Sequence, residues 1–191
     1  MAKVDETIRR FWHKHIVSFY PYFPARFKNV GESNEMARQL VYAFKSGERY
    51  EEVAQMTAKQ LKEEFGDKVS EIVFTCIPAS TAEKNELRYK KFSELVCKLS
   101  GAINGYDHIK VTTDINAVHD SRKKRSKKAD KMQNVDIDGE WFRNRNVVTM
   151  DDVLTTASSF ASLGSRLEEF GANILTGYFL AKTTYKLQIG Q

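Results

Sequence analysis

Cysteine is nearly absent from this sequence: Cys76 and Cys97 are the only two in 191 residues. They lie far apart and form no CxxC pair, which argues against a disulfide framework and against a zinc ribbon. A reducing, cytoplasmic compartment is therefore expected. Proline is equally scarce, and each of the three (Pro21, Pro24, Pro78) falls where an element is expected to end. No run of about 18 apolar residues occurs, so no membrane span is expected. The opening MAKVDETIRR carries acids and no apolar stretch, so it does not read as a secretory signal. There is no repeat of roughly 20–50 residues. The four histidines offer no metal pair: His13 and His15, two apart, would point to different helix faces, and His108 and His119 lack ligand spacing.

What is present is an ordinary globular composition, 41% hydrophobic and 29% charged, enough apolar content for a core. The length suits one compact domain, in which residues 1–66 form an N-terminal helical or hood region and residues 67–191 the core. The net charge of +5 points at first to nucleic acid. Its distribution argues otherwise. Segment 122–131, RKKRSKKADK, holds seven basic residues and one acid, so it carries +6 and the rest of the chain, at −1, is nearly neutral.

The first third reads as helical. Ile8, Phe11, Trp12, Ile16 and Phe19 recur at helical spacing up to Pro21 and Pro24. Met36, Leu40, Val41 and Phe44 predict a second helix stopping near Gly47, and Val53, Met56, Leu61 and Phe65 a third stopping at Gly66. The pattern then changes. Residues 71–78, EIVFTCIP, read as a buried strand, followed by a helix through Phe92, Leu95, Val96 and Leu99 that ends at Gly101. Residues 109–113 read as a second strand, 146–150 as a third and 173–181 as a fourth. A helix through Phe160, Leu163, Leu167 and Phe170 comes between the last two. Strands alternating with helices predict an α/β fold, a parallel sheet covered on both faces, with its ligand at the carboxyl ends of the strands. The loops after Pro78, Thr113 and Met150 should share that rim.

The chemistry concentrates in VVTMDDVLTTASS, residues 147–159. An apolar strand runs into two adjacent acids, and a turn of small hydroxyl residues opens a helix. Unpaired N–H groups and the helix dipole favour an anion at such a helix start. Two carboxylates beside that turn call for hydroxyl donors or a cation, and a ribose diol with Mg2+ supplies both. The plainer alternative is an N-capped helix after a buried strand, with Asp151 and Asp152 as turn acids.

This stretch resembles the phosphoribosyl pyrophosphate (PRPP) signature of type I phosphoribosyltransferases: apolar strand, acidic pair, two apolar residues, then small and hydroxyl residues. Two positions depart from it. Thr149 stands where an apolar residue is usual. Ala157 replaces a common glycine and would crowd the turn if the backbone there has positive φ. GESNEMARQLVYAFKSGERYEEVAQMTAKQL, the strand ending IPAS, ELRYKKFSEL and ADKMQNVDIDGEWFRNRNVVTMDDV extend the similarity over roughly residues 35–183, in an order that resembles the ComF-like branch. The N-terminal cysteine zinc ribbon usual in that branch is missing.

The resemblance implies a type I phosphoribosyltransferase fold and a set of roles. Asp151 and Asp152 would hold the ribose hydroxyls, one of them by way of Mg2+ and a water. Leu154, Thr155, Thr156, Ala157, Ser158 and Ser159 would wrap the 5-phosphate. Pro78, Ala79, Ser80 and Thr81 would form the pyrophosphate loop, which in this family often holds a cis peptide. Arg88 would meet pyrophosphate oxygens, or else stand as a solvated helix-face arginine. Arg122, Lys123, Lys124, Arg125, Lys127 and Lys128 fall where the family has its flexible lid. They read equally as a solvated charge run, and less readily as a nucleic-acid contact.

The expected activity is transfer of a phosphoribosyl group to an amine or nitrogenous base. A catalytically silent PRPP- or nucleotide-binding module and a competence-related nucleic-acid accessory are the rivals. Phe11, Trp12, Phe19, Tyr20, Tyr22 and Phe23 belong either to the core or to a hood over the acceptor. A homodimer is allowed, and nothing in the sequence fixes the oligomeric state or the acceptor.

Overall fold

A computed structural model describes residues 5–112 and 134–184. The chain forms α1 (Glu6–Trp12), β1 (His15–Tyr22), α2 (Glu32–Lys45), α3 (Tyr50–Phe65), β2 (Ile72–Cys76) and α4 (Ala82–Asn85). A π-helical turn (Glu86–Lys90) leads into α5 (Lys91–Ser100), followed by β3 (Ile103–Asn104), β4 (Ile109–Val111) and β5 (Val135–Ile137). The chain continues with α6 (Gly139–Phe142), β6 (Asn146–Leu154), α7 (Ser158–Glu169) and β7 (Asn173–Thr183).

Five strands make one sheet in the order β1-β7-β6-β2-β3, and every pairing is parallel. Parallel strands need crossover connections, which place helices on the sheet faces. One face buries Phe74, Val148, Met150 and Tyr178 under Leu40, Val41, Phe44, Val53, Leu61, Phe92 and Val96 of α2, α3 and α5. The other buries Val73, Val147, Ile174 and Phe179 under Phe11 of α1 and Phe160, Leu163 and Leu167 of α7. The expected α/β architecture, a parallel sheet with helices on both faces, is therefore present.

Two local expectations are corrected. Residues 15–22 are not a continuation of the first helix. They form edge strand β1, paired with β7 from His15↔Thr176 to Tyr22↔Thr183. Ile16 and Phe19 are three apart and mimic a helical stripe, but Ile16, Val17, Phe19, Tyr20 and Tyr22 are all β-branched or aromatic, and sheet pairing prevails. Pro21 is tolerated because an edge strand has one side without a ladder. The strand at 109–113 also forms, over Ile109–Val111, but outside the main sheet. It pairs antiparallel with β5 in a separate ribbon, and the short β3 takes the edge next to β2.

Helix boundaries follow local chemistry. Gly101, at φ 89°, closes α5 in the left-handed region that favours glycine. Gly164 lets α1 lie directly on α7, since a Cβ there would stand 2.2 Å from Cε1 of Phe11. Phe11 then meets Phe160 edge-on at 5.0 Å. Both cysteines are free. No described helix is long and apolar enough to cross a membrane.

Candidate functional site

β6 carries the centre of the site. It runs beyond the expected 146–150 and includes the acid pair, with Met150↔Tyr178 and Asp151↔Phe179 paired across to β7. Asp151 and Asp152 thus sit within a central strand, ahead of its last rungs at Val153 and Leu154, rather than in a free turn. A cavity of about 1200 Å3 opens there, at the carboxyl edge of the sheet. Ligand cavities are typically roughly 300–1,000 Å3, so this one is roomy. It brings together Pro78, Ala79, Ser80, Arg88, Asp151, Asp152 and residues 154–159. Thr81 does not line it. Its Oγ1 accepts from the Lys84 N–H at 3.3 Å and caps α4. The loop after Thr113 and the basic residues Arg122, Lys123, Lys124, Arg125, Lys127 and Lys128 lie outside the described residues.

After β6 the chain turns through Thr155 and Thr156 into α7. Ala157 has φ 58° and ψ 8°, the left-handed conformation that costs a residue with a Cβ about 1 kcal/mol or more. The crowding expected for this departure from glycine is therefore present, and strain of this kind gathers where a site needs a particular backbone. No side chain caps α7, so its first N–H groups keep their donor capacity at the cavity wall. Thr156 Oγ1 and Ser158 Oγ lie 2.9 Å apart beside them. The loop at 78–81 is braced from below, where Oδ1 of the buried Asn85 accepts the Ala79 N–H at 3.0 Å. No cis peptide occurs among the described residues.

The acid pair has partners from the opposite wall. Arg88 Nη1 donates to Asp152 Oδ2 at 2.6 Å, with both side chains largely buried at 14% and 11% exposure. Lys45 Nζ stands 3.5 Å from Asp152 Oδ1. The reading of Arg88 as a solvated helix-face residue is thus overturned: it lines the cavity and its nearest anion is Asp152. Tyr89 Oη donates to Asp151 Oδ1 at 3.0 Å, and the Asp152 N–H donates to the same oxygen at 2.8 Å. Oδ2 of Asp151 is left without a hydrogen bond among the described residues.

Burial, and then the charge of Asp152, push the Asp151 carboxyl up to about 7, against the pull of the Asp152 N–H, the Tyr89 hydroxyl and Arg88. Burial and the two aspartates raise the Tyr89 phenol well above its usual value, which keeps it a donor.

Sequence reasoning missed Lys45 and Tyr89, and also Asp5, Thr7, Ile8, Ser162 and Ser165, all of which line the cavity. A signal existed for part of this set. Ser158, Ser162 and Ser165 follow helical spacing and put small hydroxyl side chains on one face of α7. Lys45 and Tyr89 come from distant helices, and nothing in the sequence stretches around them assigns either a role. Tyr22, expected in the core or the hood, ends β1 at the cavity, while Phe11 and Phe23 are buried.

Fold and site together define an α/β protein with a cavity at the carboxyl edge of a parallel sheet, lined by an acid pair, the cations Lys45, Lys84 and Arg88, and a hydroxyl-rich helix start. No family model matches the chain, and no curated protein does. Among solved structures, a hypoxanthine phosphoribosyltransferase from Staphylococcus aureus is similar with a TM-score of 0.40 at 14% identity, over 72% of this chain and 74% of that one.

Proposed function

We propose that the chain binds PRPP and transfers its phosphoribosyl group to an amine or ring nitrogen, releasing pyrophosphate. One observation carries this reading. The acid pair near the end of β6 leads, through Val153 and Leu154, into a turn of hydroxyl residues whose Ala157 adopts the left-handed conformation and opens α7 toward the same cavity. A diol-binding pair of carboxylates beside an anion-binding helix start matches a ribose 5-phosphate in both chemistry and order. The loop at 78–80 and Arg88 stand opposite, where a pyrophosphate would lie. The volume leaves room for an acceptor beside PRPP.

The donor set fits Mg2+. Its oxygens are hard carboxylates, Asp151 keeps one oxygen uncommitted, and no cage of three or more His, Cys, Asp or Glu gathers among the described residues. That suits an ion held by one or two carboxylates plus substrate phosphates. Asp151, with Asp152 beside it, would hold the ion, and bound Mg2+ would supply positive charge to the departing pyrophosphate.

In the transfer itself the nitrogen–C1 bond forms as the bond from C1 to pyrophosphate oxygen breaks. That oxygen keeps the electron pair, and the nitrogen releases its proton to water. The protein orients the ribose with Asp151 and Asp152, anchors the 5-phosphate at α7 and stabilises charge with Arg88 and Lys45. The test is pyrophosphate release from PRPP and Mg2+ across a panel of amines and nitrogenous bases. Release with one class of acceptor, lost in Asp151→Asn, supports the transferase. PRPP binding with no release for any acceptor would instead make the chain a binding module.

A further inference from the structure

Consecutive residues of the π-helical turn reach consecutive residues of β6: Arg88 meets Asp152 and Tyr89 meets Asp151. Such turns are uncommon and occur often at functional sites. Arg88 is also held from a second side. Its Nε and Nη2 donate to the Lys45 carbonyl at 3.3 and 3.2 Å, at the carboxyl end of α2, while only Nη1 reaches Asp152. Two bonds therefore keep the guanidinium in place whether or not the third persists. The side chain lines the cavity beside the loop at 78–80.

Resting on the PRPP reading above, we propose that Arg88 is a specificity-determining residue that makes the acid pair select a ribose bearing a 1-pyrophosphate over one without it. Arg88 competes with the ligand's hydroxyls for Asp152. A neutral diol offers Asp152 less than a guanidinium does, because its hydroxyls bring hydrogen bonds to the carboxylate but no opposite charge. A sugar phosphate without pyrophosphate must therefore bind against the Arg88–Asp152 pair. A 1-pyrophosphate gives Arg88 a second, more highly charged partner. The anion draws Nη1 from Asp152 while the Lys45 carbonyl holds the other edge of the guanidinium in place, and Asp152 becomes an acceptor for the ribose. Lys45 Nζ, 3.5 Å from the other Asp152 oxygen, keeps a cation beside the carboxylate throughout. Discrimination thus comes from an exchange of partners rather than from an added contact.

The test is calorimetric titration of the full chain, with Mg2+, by PRPP and separately by ribose 5-phosphate. The proteins are wild type, Arg88→Met and Arg88→Lys, with circular dichroism and a thermal melt to establish that each is folded. In Arg88→Met we expect ribose 5-phosphate to bind about threefold or more tightly than in wild type, and PRPP about tenfold or more weakly, so the two affinities move in opposite directions. Arg88→Lys keeps the charge but lacks the fork that grips both partners, and should fall between. If the wild type binds PRPP but the substitutions weaken both ligands alike, or change neither, Arg88 is structural and the specificity role is overturned while the site stands. If the wild type binds neither ligand, the PRPP reading falls, and the role of Arg88 with it.

Discussion

The two walls of the cavity rise from opposite faces of one sheet and hold their charge differently. On the side of α2 and the π-helical turn, Lys45 and Arg88 are cations already engaged with Asp152, over a core of interlocked aromatics, Phe44, Phe74, Tyr89 and Phe92. On the side of α7, the wall presents the hydroxyls of the turn and the helix rather than cations. Thr156 and Ser158 bond to each other, its helix start is uncapped, and its turn is strained at Ala157. The first wall is a set of satisfied pairs that a ligand must rearrange. The second is a set of donors that a ligand can complete. One site can thus bind the two ends of a ligand that is anionic at both by different means.

Substitutions break this comparison wall by wall. The largest expected effect is on the paired side. Asp152→Ala leaves Arg88 largely buried without its counter-ion, and should cost about 3 kcal/mol in chemical denaturation. On the other wall, Gly164→Ala drives a methyl into the Phe11 ring, at 2.2 Å from Cε1 before relaxation. It should cost about 2 kcal/mol and weaken PRPP binding by displacing α1 from α7.

The third prediction concerns the acid between the walls. The folded-state pKa of Asp151, about 7, lies above its unfolded value, so the folded protein binds the extra proton. Its contribution is therefore present at acid pH and is lost as pH rises from the ordinary carboxylate range through about 7. Asp151→Asn keeps an oxygen for Tyr89 and for the Asp152 N–H and carries no charge. At pH 8 it should be more stable than wild type by roughly 1–2 kcal/mol, or about 3–6 °C in Tm, with the gain vanishing near pH 4. Smallest is Ala157→Gly. Relief of the left-handed strain, offset by the lost methyl contact, should raise stability by about 0.5–1 kcal/mol in a thermal melt.

Much of this arrangement is legible in the sequence, for physical reasons that differ by element. The helices through Leu40, Val53, Phe92 and Phe160 carry apolar stripes that one buried face requires. The strand into Asp151 and Asp152 is apolar because both of its faces are covered. The strain at Ala157 was foreseeable from the glycine expected there. β1 was hidden because an edge strand half covered on each face need not alternate, and its Ile16 and Phe19 imitate a helical spacing. β3 has two residues and no pattern. Lys45 and Tyr89 reach the acids through tertiary packing alone, and no local signal announces them. Arg88 reads either as a pyrophosphate contact or as a solvated arginine, and its pairing with Asp152 depends on a π-helical turn that residue types do not reveal.

The central claim is that the acid pair at the end of β6 is a PRPP site. It is tested most directly by calorimetric titration of PRPP with Mg2+ into the wild-type protein and into Asp152→Asn. Saturable micromolar binding by the wild type, weakened about tenfold or more by the substitution, is the predicted result. No binding by the wild type, or equal binding by both proteins, would contradict it.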